Sequence, residues 1–462
     1  MNIIAKSSSL SGAITVPGSK SHTIRALLLA TLAEGTSHIK NPLASADCLS
    51  TAGAIPLLGA KIDLNISIEG ELGTEWIVRG AGNQLHLPDD VVNVGNSGSL
   101  LYFLAPICAT LSGATVFTGD DSIRRRPVRH LVDSINQLLG KSNESSFLTR
   151  PTSDGCPLVV RGPVRSGIVK TAGSVSSQYI SGLMMAGTLL DGGIKIELSD
   201  PKETPYLTMT QVWLKKVGAN VEISEDFKSI FVGGKTKISS FDETIPGDWE
   251  AVAFPLVAAL IAPKSKITIE HIDSSGTQGD EAIFDILRSV GAKIEWDKEN
   301  ERITAQSSRL SAENLPNGEL RVALSPFPDA ICALAVAALF IEGTTVLFDA
   351  VGCRKKETDR LRVMTEELTN LGAEIEEGED FLKIRGHSPV LSDGSPNPAF
   401  KIHGGIVESH FDHRIAMSLA CLGLGLGANE KIVVRNAECC SVSFPHFFDA
   451  MNELGADFFE TE

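Results

Sequence analysis

Apolar and polar positions along this 462-residue chain fall into a phrase that recurs. A segment with helical spacing ends in Leu-Gly or Val-Gly, and a strand pattern follows. The phrase reads Leu58-Gly59-Ala60-Lys61-Ile62, Val217-Gly218-Ala219-Asn220-Val221, Val290-Gly291-Ala292-Lys293-Ile294, Leu371-Gly372-Ala373-Glu374-Ile375 and Leu454-Gly455-Ala456-Asp457-Phe458. Leu139-Gly140-Lys141 is a weaker sixth copy. The glycines stand 81, 78, 73, 81 and 83 residues apart. Glycine closes helices through left-handed backbone, so each copy predicts helix, glycine, strand. Most units also carry an earlier apolar helix, at 100–111, 180–190, 251–261 and 330–340. Six copies of a two-helix, several-strand unit predict an α/β protein of two domains, three units each. The chance alternative, that Leu-Gly-Ala is a common loop phrase, fits poorly with near-constant spacing.

The segment Ser239–Gly247 separates the third and fourth units and is the expected boundary. The predicted domains are 20–240, and 1–19 with 241–462, with hinges near 18–20 and 239–247. The apolar runs 252–262 and 331–341 fall short of the roughly 20 residues a membrane helix needs. They read as buried helices.

Composition changes the picture in one respect. A net charge of −16 argues against nucleic acid or anionic membranes as partners, so local basic clusters stand out. The eight cysteines have neither disulfide-framework nor metal-ligand spacing, and with no signal-peptide core they fit a cytoplasmic protein with reduced thiols.

The first basic cluster is Pro17-Gly18-Ser19-Lys20-Ser21-His22-Thr23-Ile24-Arg25, ahead of the apolar run 26–30. Free N–H groups of a first helical turn attract anions, and cations nearby strengthen that. Ordinary capping by Ser and Thr is the alternative. Asn93-Val94-Gly95-Asn96-Ser97-Gly98-Ser99 and Gly173-Ser174-Val175-Ser176-Ser177-Gln178-Tyr179 open two further helices, as anion cradles or as plain turns and caps. Arg124-Arg125-Arg126-Pro127-Val128-Arg129-His130 packs four arginines into six positions, read as a helix start where cations call for a bound anion.

In Arg354-Lys355-Lys356-Glu357-Thr358-Asp359-Arg360 a helix would put Lys356 and Arg360 on one face, functional or merely solvated. Phe411-Asp412-His413-Arg414 heads another apolar helix, with Asp412 as a possible cap. Asp329, in Pro326-Phe327-Pro328-Asp329-Ala330, is either a first-turn residue or a partly buried carboxylate suited to proton transfer. No P-loop, dinucleotide fingerprint or zinc motif is present.

In this order the motifs Pro-Gly-Ser-Lys-Ser…Arg, Gly-Asn-Ser-Gly-Ser, Arg-Pro, Gly-Ser-Val-Ser-Ser-Gln, Pro-Tyr, Pro-Asp-Ala, Lys-Glu-Thr-Asp-Arg-Leu, Asp-His-Arg-Ile-Ala-Met and Ser-Phe-Pro resemble the 5-enolpyruvylshikimate-3-phosphate synthase family. The resemblance implies a two-domain enolpyruvyl transferase fold, each domain three βαβαββ repeats in an inside-out α/β barrel that closes over substrate. It implies transfer of the enolpyruvyl group of phosphoenolpyruvate to the 5-hydroxyl of shikimate 3-phosphate, in the pathway to chorismate and aromatic amino acids. No cofactor or metal is implied, the partners are the two small-molecule substrates, and a monomer is the default.

By position, the resemblance assigns Lys20, Ser21, Arg25, Ser176, Ser177, Tyr206, Asp329 and Lys356 to shikimate 3-phosphate. Lys20, Asn96, Gly98, Arg126, Gln178, Arg360 and Arg414 would surround phosphoenolpyruvate. Asp329 would take the hydroxyl proton, and Glu357 would deliver one to the enol carbon with help from Lys20.

The chain departs from the family pattern at four places, one of them a pair of residues. Tyr102 and Phe103 stand where an Arg-Pro pair is usual, Val442 where a lysine is, Glu203 where a phosphate-binding serine is, and Gly352 where an asparagine is. Arg124, Arg125, Arg354 and Lys355 are candidates to replace the missing positive charge. A different hydroxyl acceptor, or a non-catalytic anion-binding relative, are the competing readings.

Overall fold

The computed structural model describes residues 1–67, 72–140, 145–150 and 153–461. The chain divides into a continuous unit, Gly18–Pro246, and a discontinuous unit, Met1–Pro17 with Gly247–Glu462. Each has its own hydrophobic core.

The continuous unit contains, among its described residues, three four-stranded sheets built to one plan. A parallel pair comes first, then two antiparallel neighbours. Asp242–Thr244 lies parallel to Thr36–Lys40, followed by Glu75–Arg79 and Lys61–Asp63. Val92–Asn93 lies parallel to Gly113–Thr118, followed by Leu158–Gly162 and Phe147–Leu148. Gly167–Thr171 lies parallel to Ile194–Leu198, followed by Ser229–Val232 and Val221–Ile223. Residues 241–246 therefore group with this unit through the Asp242–Thr244 strand.

The discontinuous unit repeats the plan. Ser11–Thr15 leads one sheet beside Lys266–Glu270. Glu319–Ala323 leads the second beside Ile341–Phe348. Gly405–Glu408 leads the third beside Lys431–Arg435. Asn2–Lys6 takes the third place in that last sheet, antiparallel to both Lys431–Arg435 and Asp457–Thr461.

Each repeat pairs one sheet with a buried and an outer helix. The buried helices are Lys20–Leu32, Gly98–Ala109 and Ser177–Gly187 in one unit, and Trp249–Ile261, Ile331–Phe340 and His413–Leu424 in the other. Helices apolar on every side can only be interior, and every residue of Gly98–Ala109, Trp249–Ile261 and Ile331–Phe340 is buried. The outer helices precede the recurrent glycines, which all take left-handed φ, from 70° at Gly140 to 99° at Gly218. The strand expected after Gly140 begins at Lys141, outside the described residues.

The buried helices carry the polar helix starts, so their packing sets the site. Gly98–Ala109 and Ser177–Gly187 touch through Gly182, where a Cβ would lie 2.2 Å from the Tyr102 carbonyl oxygen. That neighbour is backbone and cannot yield. Gly182→Ala is expected to destabilise the fold by about 1–3 kcal/mol, measured as a lower urea midpoint; an unchanged midpoint would show that the helices part freely.

Candidate functional site

In the continuous unit the three buried helices all begin with small polar residues. Ser97 and Ser176 cap theirs, accepting from Leu100 N–H at 3.2 Å and Gln178 N–H at 3.1 Å. Gln178 Nε2 reaches Ser99 Oγ at 2.9 Å. Arg126 lies over Gly98, where a Cβ would sit 2.6 Å from its Nη1 and 3.7 Å from Gln178 Oε1. Gly98, Arg126 and Gln178 thus form one group. Asn96 turns its amide to Asp120 Oδ2, 2.5 Å away.

Arg25 is the tie of this unit. Its Nε donates to Thr210 Oγ1 at 2.9 Å, Nη1 to the Ser21 carbonyl at 2.9 Å, and Nη2 to the Tyr206 carbonyl at 3.3 Å. It also stacks over the Phe103 ring at 4.9 Å. Arg25, Ser21 and Tyr206 are thereby drawn together. Lys20 pairs with the buried Asp47 at 3.6 Å.

These contacts explain part of the departures. Phe103 supplies the face on which Arg25 rests, and Tyr102 Oη donates to the Pro127 carbonyl at 2.9 Å. Burial pushes the Tyr102 phenol well above its usual range, so it stays neutral. Glu203 accepts from both the N–H and the hydroxyl of Ser177, at 2.9 and 2.8 Å.

The arginine cluster is placed differently from the helix start its sequence implies. Arg124 and Arg125 occupy the last turn of the Asp121–Arg125 helix, and Arg129 opens the next. Cations are welcome at a helix C-terminus, so Arg124 and Arg125 need no bound anion to account for them.

The discontinuous unit gathers Asp329, Lys356, Glu357, Arg360 and Arg414. Arg360 is fully buried and donates from Nε to Asp412 Oδ2 at 2.8 Å, from Nη1 to Asp329 Oδ1 at 2.5 Å and from Nη2 to Glu357 Oε2 at 2.8 Å. Nη2 also reaches Asp412 Oδ1 at 3.1 Å. Lys356 Nζ lies 3.3 Å from the other oxygen of Asp329, and Arg414 Nε lies 3.2 Å from Oδ1. Arg414 is bonded in turn to Glu250.

Burial works against the charge of both guanidiniums. It is overcome at Arg360 by Asp412, Glu357 and Asp329, and at Arg414 by Glu250 and Asp329, so both stay charged well above their usual range. Asp329 occupies a tight turn, Pro328–Ala330, ahead of the Ile331–Phe340 helix and does not cap it.

Lys356 and Arg360 do not share a helix face, because the helix is Arg360–Asn370 with Asp359 as its cap. They meet through Asp329 instead. Arg354 pairs with Asp359 at 2.8 Å and with Glu377 at 2.7 Å. Gly352 has open space where a side chain would stand.

Asp412 and Glu250 are the residues whose importance the motifs understate. Asp412 caps its helix, accepting from Arg414 N–H at 3.0 Å, and holds Arg360 as well. Glu250 begins an otherwise apolar run, and a buried acid in such a place calls for a cation.

This fold and these polar helix starts define the enolpyruvyl transferase class. EPSP synthase from Acinetobacter baumannii superposes with a TM-score of 0.80 at 26% identity, covering 100% of both chains. The enolpyruvyl transferase NikO from Streptomyces tendae does so at 0.72 and 17% identity, covering 100% of this chain and 98% of that one, which speaks for the fold alone. The family model for EPSP synthase (3-phosphoshikimate 1-carboxyvinyltransferase) matches residues 4–451. A 3-phosphoshikimate 1-carboxyvinyltransferase of Ruminiclostridium cellulolyticum is 37% identical over 98% of this chain and 99% of its own length. One from Methanococcus maripaludis strain C6 is 35% identical over 99% of each. The chain belongs to the EPSP synthase family.

Asp412→Asn keeps a capping oxygen and removes the charge against Arg360. Breaking a buried pair this way is expected to cost about 3 kcal/mol or more; chemical denaturation measures it, and a loss under about 1 kcal/mol would mean Arg360 does not depend on Asp412.

Proposed function

We propose that the chain transfers the enolpyruvyl group of phosphoenolpyruvate to the 5-hydroxyl of shikimate 3-phosphate and releases inorganic phosphate. The single observation that carries this reading is the Arg360 guanidinium bridging Asp329 and Glu357. One buried cation holds both carboxylates in place, so the two candidate proton-transfer groups stand beside one another.

Asp329 takes the proton of the acceptor hydroxyl as its oxygen attacks the substituted enol carbon. Glu357 delivers a proton to the terminal carbon, which becomes a methyl group. The tetrahedral adduct then loses phosphate from the carbon that was attacked, with the proton Asp329 took, and a proton from that methyl returns to Glu357, restoring the double bond on the new ether. Lys356 and Arg414, held at Asp329, stabilise negative charge on the reacting anions. Arg360, with no exposed surface, spends most of its donors on protein carboxylates and is assigned with Arg414 to the surroundings of phosphoenolpyruvate.

Lys20, Ser21, Arg25, Ser176, Ser177 and Tyr206 serve the acceptor. Asn96, Gly98, Arg126 and Gln178 serve phosphoenolpyruvate; the grouping of Gly98, Arg126 and Gln178 supports that assignment. Family membership accords with small-molecule substrates.

Phosphate release from phosphoenolpyruvate is expected only when shikimate 3-phosphate is added. Asp329→Asn and Glu357→Gln should each lower kcat by about 10²–10⁴ while phosphoenolpyruvate still binds in calorimetry. Turnover retained in both variants would remove these carboxylates from the chemistry.

A further inference from the structure

We propose that Glu203 is a specificity-determining residue: its carboxylate holds the seat that the acceptor's phosphate must take, so acceptor affinity is set by competition within the chain. The inference rests on the reading above that Ser176 and Ser177 hold shikimate 3-phosphate, whose phosphate is the kind of anion a helix start takes.

Ser177 is the first residue of the Ser177–Gly187 helix. Its N–H is one of the first-turn donors left without a partner inside the helix. Both that N–H and the Ser177 hydroxyl point to the same oxygen, Oε2 of Glu203, at 2.9 and 2.8 Å. A phosphate oxygen arriving at a helix start uses donors of this kind. The seat therefore holds an anion already, supplied by the protein.

The carboxylate is held there by its backbone and by burial. Glu203 has φ 51° and ψ 39° and stands immediately before the Thr204–Lys216 helix. Its carbonyl accepts from Tyr206 N–H at 3.1 Å, and the residue is 7% exposed. Side chain and main chain thus tie Glu203 to Ser177 and Tyr206, two residues assigned to the acceptor. A phosphate entering at Ser177 meets a like charge and has to displace two hydrogen bonds made to a charged acceptor. A serine at this place, as in the resembled pattern, would donate to the phosphate instead of opposing it.

The test compares wild type with Glu203→Ser and the near-isosteric Glu203→Gln, the second guarding against a folding defect in the first. The KM for shikimate 3-phosphate is expected to fall about tenfold in Glu203→Ser and by a smaller factor in Glu203→Gln, which keeps an accepting oxygen. The KM for phosphoenolpyruvate should move by less than about threefold. Inorganic phosphate should become a tighter competitor of shikimate 3-phosphate in both. A rise in the KM for shikimate 3-phosphate, or a parallel change in both KM values, overturns the proposal and makes Glu203 a structural cap. If wild type does not turn over shikimate 3-phosphate, the functional reading fails, and calorimetry still decides on Glu203. Shikimate 3-phosphate or inorganic phosphate binding more tightly to Glu203→Ser than to wild type supports the competition; equal or weaker binding overturns it.

Discussion

A guanidinium with no exposed surface is tolerable only if carboxylates surround it, and Arg360 meets that condition with Asp329, Glu357 and Asp412. Taking a charge out of water costs several kcal/mol, repaid only when geometry and hydrogen bonds are complete. The requirement propagates outward. The turn at Pro328–Ala330 has to aim Asp329 at Nη1, and the approach to the Arg360–Asn370 helix has to aim Glu357 at Nη2. Asp412 has to serve two masters, Arg360 and the start of the His413–Leu424 helix. The positions of the two proposed proton-transfer groups are consequences of one buried charge.

The other unit also depends on a buried cation. Arg25 binds helices together, tying the Lys20–Leu32 helix to Thr210 and Tyr206. Aromatic packing fills in where further charge could have stood, with Phe103 beneath Arg25 and Tyr102 bonded to Pro127. A chain with a net charge of −16 can thus still gather its cations into small regions.

Much of the architecture is legible in the sequence because the recurrent glycines mark a backbone need that few other residues meet. The plan of each sheet is not legible, since it depends on pairings between distant segments. Nothing local in Asn2–Lys6 says that it lies between Lys431–Arg435 and Asp457–Thr461. At the site, hydroxyl-rich helix starts announce themselves through capping chemistry, as at Ser97 and Ser176. Charge clusters are more ambiguous. Arg124 and Arg125 look like an anion trap, yet they satisfy the end of a short helix. Lys356 and Arg360 have helical spacing, yet Asp359 starts the helix between them. Glu250 is hidden in the pattern because its partner, Arg414, is 164 residues away.

The place of Asn2–Lys6 bears on the order in which the chain can fold during synthesis. All three sheets of the continuous unit are complete once residue 244 has been made. The discontinuous unit keeps its first residues waiting until residues 431–435 and 457–461 exist to flank them. Loop closure over that distance is an entropic cost met late, and until then Asn2–Lys6 is an unpaired strand with edges open to other chains. An early-folding continuous unit would stand as a finished body between the two separated parts of the discontinuous unit in the nascent chain until residues 457–461 have been made.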